Sequence, residues 1–535
     1  VSLAAVLMPL PVLLPTLGAA STLIVGRRPR LQRPITIGVL CAVAAVSAVL
    51  LYLTDRNGTL VLHVGGWGPT EQGLGPLGIS LVVDRLSALM LVVSAIVLLA
   101  VMVYAIGQGV RDGDDRQPVS IFLPTYLTLA TGVSLAFLAG DLFNLFVGFE
   151  MLLSASFVLL TIGASAERIR AGIGYVMVSM ASSLVFLFGI ALVYASTGTL
   201  NLAELATRTG AMPGGTRSAV FAVLLVAFGI KAAVFPLSAW LPDAYPTAPA
   251  PITAVFAGIL TKVGVYAIIR AHSLLFPDGG LDSVLLVAAL LTMLIGIFGA
   301  IAQSDIKRVL SFTLVSHIGF MMFGVALSSK SNQLGMSGAI FYVMHHIIVM
   351  TTLFLAAGLI ERQGGASSLH RLGGLIANPL LAFVFLVPAF NLGGIPPFSG
   401  FIGKTAVLQA GVGDGSVLAW CLVGGAVLTS LLTLYVLARV WTMAFWRRRV
   451  DAPEGALVLA APPVLLDDVG DVAYDERDDV GKMPTWMVVP TLALIALGLS
   501  LSVLAGPIFA YTQRAAAEVL DRGEYISTVL SVGTE

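Results

Sequence analysis

The segment from Arg217 to His272 carries two apolar runs on either side of a proline-rich break, and each run holds a lysine near its middle: Lys231 in VLLVAFGIKAAV and Lys262 in ITAVFAGILTKVGVYAIIR. Apolar segments cross a bilayer with about 20 residues, and a charge at such a depth costs roughly 2.5–3.5 kcal/mol on insertion scales. One lysine near an interface can snorkel its amine to water. Here the break Phe235-Pro236, with Pro242, Pro246, Pro249 and Pro251 following, adds a second anomaly beside the charges. Irregular backbone persists at membrane depth only where protein or a watery cavity surrounds it. A charged residue beside a broken helix therefore points to an ion path.

The rest of the chain agrees. Of 535 residues, 58% are hydrophobic and only 11% charged, which reads as an all-α polytopic membrane protein. The formal net charge is zero, so no basic surface suggests nucleic acid as a partner. Cys41 and Cys421 lie in apolar runs without a CxxC partner and read as buried packing residues, not as a disulfide framework or a metal site. There is no GxxxxGKS loop, no GxGxxG after a strand and no cysteine pattern for iron–sulfur or haem, so no cofactor is expected. Energy must then come from an ion gradient or from partner subunits. The run Leu3 to Val25 is long for a signal h-region and has no basic residue before it, so it reads as a retained helix.

Hydropathy predicts about fourteen spans, at roughly 3–25, 34–54, 79–106, 120–139, 141–163, 169–196, 217–240, 251–271, 282–302, 308–328, 333–360, 379–411, 416–446 and 484–511. Loops after odd-numbered spans carry Arg27, Arg28, Arg30, Arg33, Lys307, Arg308, Arg447, Arg448 and Arg449 among others, whereas the opposite side has few basic residues. The positive-inside rule then puts both termini outside. A second break, NLGGIPPFSG, follows five spans after the first and is followed by Lys404. Two proline-interrupted helices with intramembrane lysines, five spans apart, predict two five-helix repeats, inverted because the repeat length is odd. The predicted organisation is helices 1–3 over 1–106, a first repeat (helices 4–8) over 120–271 and a second (helices 9–13) over 282–446. An acidic solvated cytoplasmic loop over 447–483 holds Asp467, Asp468, Asp471, Asp475, Glu476, Asp478 and Asp479, and the last helix and tail cover 484–535.

Glu150, in DLFNLFVGFEMLLSASFVLL, is the evident partner for Lys231. A lone glutamate in hydrocarbon stays neutral, but beside a lysine it can ionise. Such a pair serves either as a proton relay, in which each group's hold on its proton answers to the other, or as a static structural ion pair. His345 and His346 sit mid-span in AIFYVMHHIIVMTTLF and can link two lysines in a hydrogen-bonded path. Adjacent helical residues point about 100° apart, so one of the two is expected to line the path, without a choice between them. For the same reason they do not make a metal site. His317 reads equally as a relay member or a core hydrogen bonder. Asp305, Lys307 and Arg308 suggest an interfacial salt-bridge cluster, and Asp243 suggests a helix cap or a place at the mouth of the path. Arg85, beside Asp84, reads as structural, and Arg439 as a snorkelling residue.

These motifs resemble those of the antiporter-like membrane subunits shared by respiratory complex I, membrane-bound hydrogenases and Mrp multisubunit sodium/proton antiporters. The likeness runs from about Ser80 to Ala410 and rests on FVGFEMLLSASFVLL, FGIKAAVFPLSAWLPDAYPTAPAPITAVFAGILTKVGVYAIIR, QSDIKRVLSFTLVSHIGFM and LGGIPPFSGFIGK. Within that superfamily the chain is most similar to the D-type subunits of the Mrp antiporters. The resemblance implies fourteen helices in two inverted five-helix repeats, with the seventh and twelfth broken. It also implies Glu150 and Lys231 as a coupling pair, Lys262 as the central relay and Lys404 as the far exit. Many relatives carry a lysine one turn after the histidines, where this chain has Met350, so a path through that helix rests on histidine and water. In the longest subunit type a lateral amphipathic helix follows the last span; here about 24 residues follow, which argues against that type.

The expected function is a proton-translocating subunit of a monovalent-cation (sodium)/proton antiporter in the bacterial cytoplasmic membrane, working with other hydrophobic subunits. Two alternatives stay open. One is an enzyme-complex subunit, the pumping module of an NADH:quinone oxidoreductase or membrane-bound hydrogenase, which flavin- or iron–sulfur-bearing partners would reveal. The other is a structural scaffold whose buried charges only pin helices.

Overall fold

The computed structural model describes residues 3–531 except 27, 70–74, 77, 111–120, 163–165, 278, 456–480 and 482. Among the described residues the chain is a helical bundle. Its spans are α1 (Leu3–Val25), α2 (Pro29–Asn57), α3 (Arg85–Gln108), α4 (Phe122–Leu138), α5 (Leu142–Thr161), α6 (Ala166–Thr197), α7 (Gly214–Ala232) and α8 (Ala250–Leu275). Then come α9 (Asp282–Ile301), α10 (Ile306–Ala326), α11 (Gln333–Gly364), α12 in two halves (Pro379–Gly393 and Ser399–Asp414), α13 (Val417–Trp446) and α14 (Thr485–Val503). Among the described residues, twelve helices are long and apolar enough to cross a membrane. With the shorter α4 and the two-piece α12 this matches the fourteen expected spans.

The bundle is built around α8, α10 and α11. The most apolar windows of α8 and α10 are 94% buried and that of α11 is fully buried, against 28% for α1, α2 and α13. A helix apolar all round is the one that belongs in the middle of such a bundle. The peripheral helices turn an equally apolar face outward, because in a membrane that face meets lipid or another subunit. This accounts for one correction. Cys41 and Cys421 are exposed on α2 and α13 instead of buried, since an apolar neighbourhood does not mean an interior one in this setting.

The expected span at 79–106 also begins too early. Ser80–Val83 is a strand paired antiparallel with Leu60–His63, with Leu60 opposite Val83 and His63 opposite Ser80. The helix starts only at Arg85, where Asp84 and Ser87 form a capping box. A short β-branched apolar run reads the same in a strand as in the lip of a membrane helix. The last span likewise ends before 511: α14 stops at Val503, and two further helices follow, α15 (Ala505–Leu520) and α16 (Arg522–Leu530).

The two ends of the bundle are closed by ion pairs. At one end Asp84, 1% exposed, meets Arg270 at 2.6 Å, itself 5% exposed. Burial pushes the Asp84 carboxyl up, but the Arg270 guanidinium and the hydrogen bonds from Arg270 and Ser87 outweigh it, leaving it below the usual carboxylate range. Arg85 is structural, as expected, although its partners are Asp55 (3.2 Å) and Glu518 of α15 (3.1 Å), not its neighbour Asp84. At the other end Asp305 caps α10 by accepting from the Lys307 and Arg308 amides. Lys307 pairs with Glu361 at 2.8 Å, and Arg308 with the exposed Asp243 at 3.0 Å. Arg439 sits near the end of α13 and is part-exposed. Its guanidinium donates to the Ile301 and Gln303 carbonyls, the unsatisfied end of α9. The acidic residues Asp467 to Asp479 lie outside the described residues.

Candidate functional site

Each of the two broken helices supplies a lysine with an unusual setting. α7 ends at Ala232, and Ala233 takes a left-handed conformation (φ 59°) that turns the chain into the proline segment. The break exposes backbone groups that neighbouring side chains satisfy: Trp240 Nε1 donates to the Ile230 carbonyl (3.1 Å), and the Phe235 amide donates to Thr292 Oγ1 (3.0 Å). Lys231, in the last turn before the break, donates to Ser183 Oγ at 3.3 Å and the Ser179 carbonyl at 3.5 Å on α6. Its ammonium also lies 5.8 Å from the Phe149 ring centre.

The expected contact between Lys231 and Glu150 is therefore not a salt bridge. Glu150 lies one residue beyond Phe149 on α5 and attracts the ammonium through space. Its Oε1 is buried without a hydrogen-bond partner among the described residues.

Lys404 is held differently. α12 ends its first half at Gly393, with Gly394 left-handed (φ 81°), and restarts at Ser399. Asn391 Oδ1 spans the gap, accepting from Ser399 Oγ (3.1 Å) and the Gly400 amide (3.0 Å). Lys404 Nζ reaches back to the Leu392 and Gly393 carbonyls at 3.1 and 3.2 Å. These are the free carbonyls at the negative end of the first half-helix, so the helix dipole stabilises an ammonium there with no carboxylate needed. The ring of Phe320 adds a cation–π contact at 5.0 Å. Only 4% of Lys404 is exposed.

Lys262 is fully buried. The turn before it, Phe256–Leu260, is wound as a π-helix. A π-bulge breaks the regular ladder and frees a carbonyl, and the Ala257 carbonyl takes the Lys262 ammonium.

Between Lys262 and Lys404 lies a cluster of three histidines, all fully buried. His317 Nδ1 meets Tyr342 Oη at 2.6 Å and its Nε2 meets Thr433 Oγ1 at 3.3 Å. The His346 ring lies 5.5 Å from His317, and the charge of Lys262 acts on it. His345 Nδ1 meets Ser399 Oγ at 3.0 Å and feels the charge of Lys404. The 100° between adjacent residues thus does not exclude one of them. It turns His346 toward α8 and α10 and His345 toward the break in α12, so both face buried polar groups. Both ring nitrogens of His346, Nε2 of His345 and Oγ1 of Thr261 are buried without a partner among the described residues. Buried polar atoms are nearly always hydrogen-bonded, so these four stand out from the packing around them. Met350, one turn past His346, is fully buried and brings no charge. Asp243 pairs with Arg308 instead of joining this row.

A small cavity of about 30 Å³ adjoins Lys231, lined by Ser179, Tyr175, Trp240, Tyr245 and Leu260 among others. That volume holds one or two waters, since a water needs at least about 10–15 Å³. Sequence reasoning missed Ser179, Ser183, Tyr342 and Thr433, which are ordinary polar residues in apolar helices. Asn391 and Ser399 carried a signal, being inside the second break.

Residues 139–430 match the family described as NADH:quinone oxidoreductase/Mrp antiporter, TM. The chain is 36% identical to the D subunit of the Na(+)/H(+) antiporter of Alkalihalophilus pseudofirmus over 526 residues, 97% of this chain and 98% of that one. It is 34% identical to the corresponding D subunit of the Na(+)/H(+) antiporter of Bacillus subtilis, over 83% of this chain and 88% of that one. Among solved structures it is similar to a chain of the Mrp complex from Dietzia sp., with a TM-score of 0.85, 32% identity and coverage of 98% of this chain and 100% of that one.

Proposed function

Because the chain belongs to the NADH:quinone oxidoreductase/Mrp antiporter family, we propose that it is the proton-translocating D subunit of a multisubunit monovalent-cation/proton antiporter. Its partners are the other hydrophobic subunits of that complex, and its exchanged ions are protons and sodium or a similar cation. The observation that carries the reading is the row Lys231, Lys262, His346, His317, Tyr342, His345 and Lys404, polar groups strung across the bundle and all buried except the part-buried Lys231. Lysine, histidine and tyrosine can each pass on one proton and take another, so such a row can relay protons through the bundle. Glu150 acts on Lys231 through space, without a direct contact between them. Buried ionisable residues in a membrane protein mark an ion path by default.

The chain spans the bacterial cytoplasmic membrane with both termini outside. The basic loops support this: Arg308, Lys307, Arg371 and Arg448 lie at one end of the bundle, and the positive-inside rule makes that end cytoplasmic. The Asp84 end is then the outer one.

Glu150→Gln keeps the side-chain volume and removes the field on Lys231. Cation-driven proton movement in everted membrane vesicles is expected to fall about ten-fold or more, with the complex intact on a native gel. Wild-type rates at every pH tested would remove Glu150 from the mechanism.

A further inference from the structure

A neutral imidazole carries its proton on one nitrogen only, and that choice decides which nitrogen can accept another. The hydrogen bonds around His317 make the choice. Its Nε2 lies 3.3 Å from Thr433 Oγ1 on α13, and its Nδ1 lies 2.6 Å from Tyr342 Oη on α11. A threonine hydroxyl has a single hydrogen. That of Thr433 goes to the Thr429 carbonyl one turn back, at 2.7 Å. Thr433 Oγ1 can therefore only accept from His317, which places the imidazole proton on Nε2. Nδ1 is then a bare acceptor, and the Tyr342 hydroxyl donates to it. His317, Tyr342 and Thr433 are all fully buried, so bulk water does not compete for these bonds.

His345 is held in the opposite form. Ser399 Oγ stands 3.0 Å from His345 Nδ1 and 3.1 Å from Asn391 Oδ1. The Gly400 amide donates to that same Asn391 atom at 3.0 Å, so it is the carboxamide oxygen, and the Ser399 hydrogen goes to it. Ser399 then accepts from His345, whose proton sits on Nδ1. The nitrogen without a partner among the described residues is Nε2, the one that carries no hydrogen. Orphaned buried N–H groups are rarer than orphaned acceptors, and this arrangement leaves an acceptor.

We infer that Thr433 is a positioning residue of the relay: it holds His317 protonated on Nε2, so that His317 takes up and returns the transported proton at Nδ1, through Tyr342. This rests on the reading of the histidine row as a proton path. When the transported proton reaches Tyr342 Oη, a new O–H bond forms there and the hydrogen already present passes to Nδ1. Tyr342 stays neutral and His317 becomes an imidazolium. The return reverses both bonds. No proton leaves through Nε2, because Thr433 keeps its own hydrogen on the Thr429 carbonyl. His317 is thus a place where a proton is held, reached through Tyr342.

The two forms of a neutral imidazole have distinct nitrogen NMR signals, so the assignment can be read directly. In the whole complex, purified from cells fed nitrogen-labelled histidine, the signals that disappear in His317→Gln are expected to be those of an imidazole protonated on Nε2. Signals of the Nδ1-protonated form would overturn the inference. Thr433→Val keeps the branched shape and removes the acceptor. It is expected to convert His317 to the Nδ1-protonated form and to slow cation-driven proton exchange roughly ten-fold. Thr433→Ser should restore both, a rescue that a merely space-filling threonine would not give. An unchanged signal or a wild-type rate in Thr433→Val would overturn the inference, as would failure of Thr433→Ser to restore them. If Thr433→Val does not assemble, the signals lost in His317→Gln still decide the matter. The exchange rate of His317→Gln separates the two levels. A wild-type rate there fails the relay reading, whereas a lost rate with Nδ1-protonated signals fails only the role of Thr433.

Discussion

Lys262→Met is expected to abolish exchange while leaving the complex assembled. Methionine keeps the length and most of the volume of the lysine stem, so the packing of α8 against its neighbours persists. The ammonium is held by a backbone carbonyl, that of Ala257, and no carboxylate is left unpaired when it goes. Removing a buried charge of this kind costs little stability and can add some. Transport is another matter. Lys262 is the lysine on α8, between the Lys231 half and the histidine cluster, and its charge acts on both His346 and His317. With Met350 already apolar one turn beyond His346, no second lysine on α11 offers a detour. Proton movement driven by sodium in everted vesicles should fall to the level of membranes lacking the complex, a loss on the order of a hundred-fold or more. A native gel should show the assembled complex in normal amount. Residual exchange near wild type would mean that the two halves conduct independently.

Asp84→Ala is expected to do the opposite, removing the protein and not merely its activity. Asp84 and Arg270 are both buried and meet at 2.6 Å. Deleting one member of such a pair leaves an uncompensated charge in the interior and costs about 3–5 kcal/mol. That is comparable to a large share of the net stability of an ordinary domain. The chain should be scarce in the membrane by immunoblot. The double variant Asp84→Leu with Arg270→Met should restore much of it, because the stranded charge is gone. If Asp84→Ala instead accumulates normally but is inactive, the pair belongs to the transport machinery. The two experiments together separate buried charges that carry ions from buried charges that hold helices, a distinction that burial alone does not make.

How much of this was legible from residues alone varies by residue type. Lys231, Lys262 and Lys404 announced themselves, because a lysine in the middle of an apolar span has a cost that demands a use. The two proline breaks were equally plain, as was the count of spans. The serines that hold Lys231 were not legible, since Ser179 and Ser183 look like any small polar residue in a membrane helix. Arg439 gave no sign of its partners, which are carbonyls at the end of another helix, α9.

Residue types in order along the chain suffice to make this a polytopic helical membrane protein with charges at two interrupted helices. The cost of placing charge and unpaired backbone in hydrocarbon depends on the groups themselves and not on their neighbours. What each charge touches was settled by packing. Glu150 meets no ammonium directly, Lys404 rests on carbonyls of its own broken helix, and His345 and His346 face different neighbours from α11. Partners in a helical bundle come from helices distant in sequence, and their choice depends on how those helices rotate and cross. No local pattern along the chain contains that information.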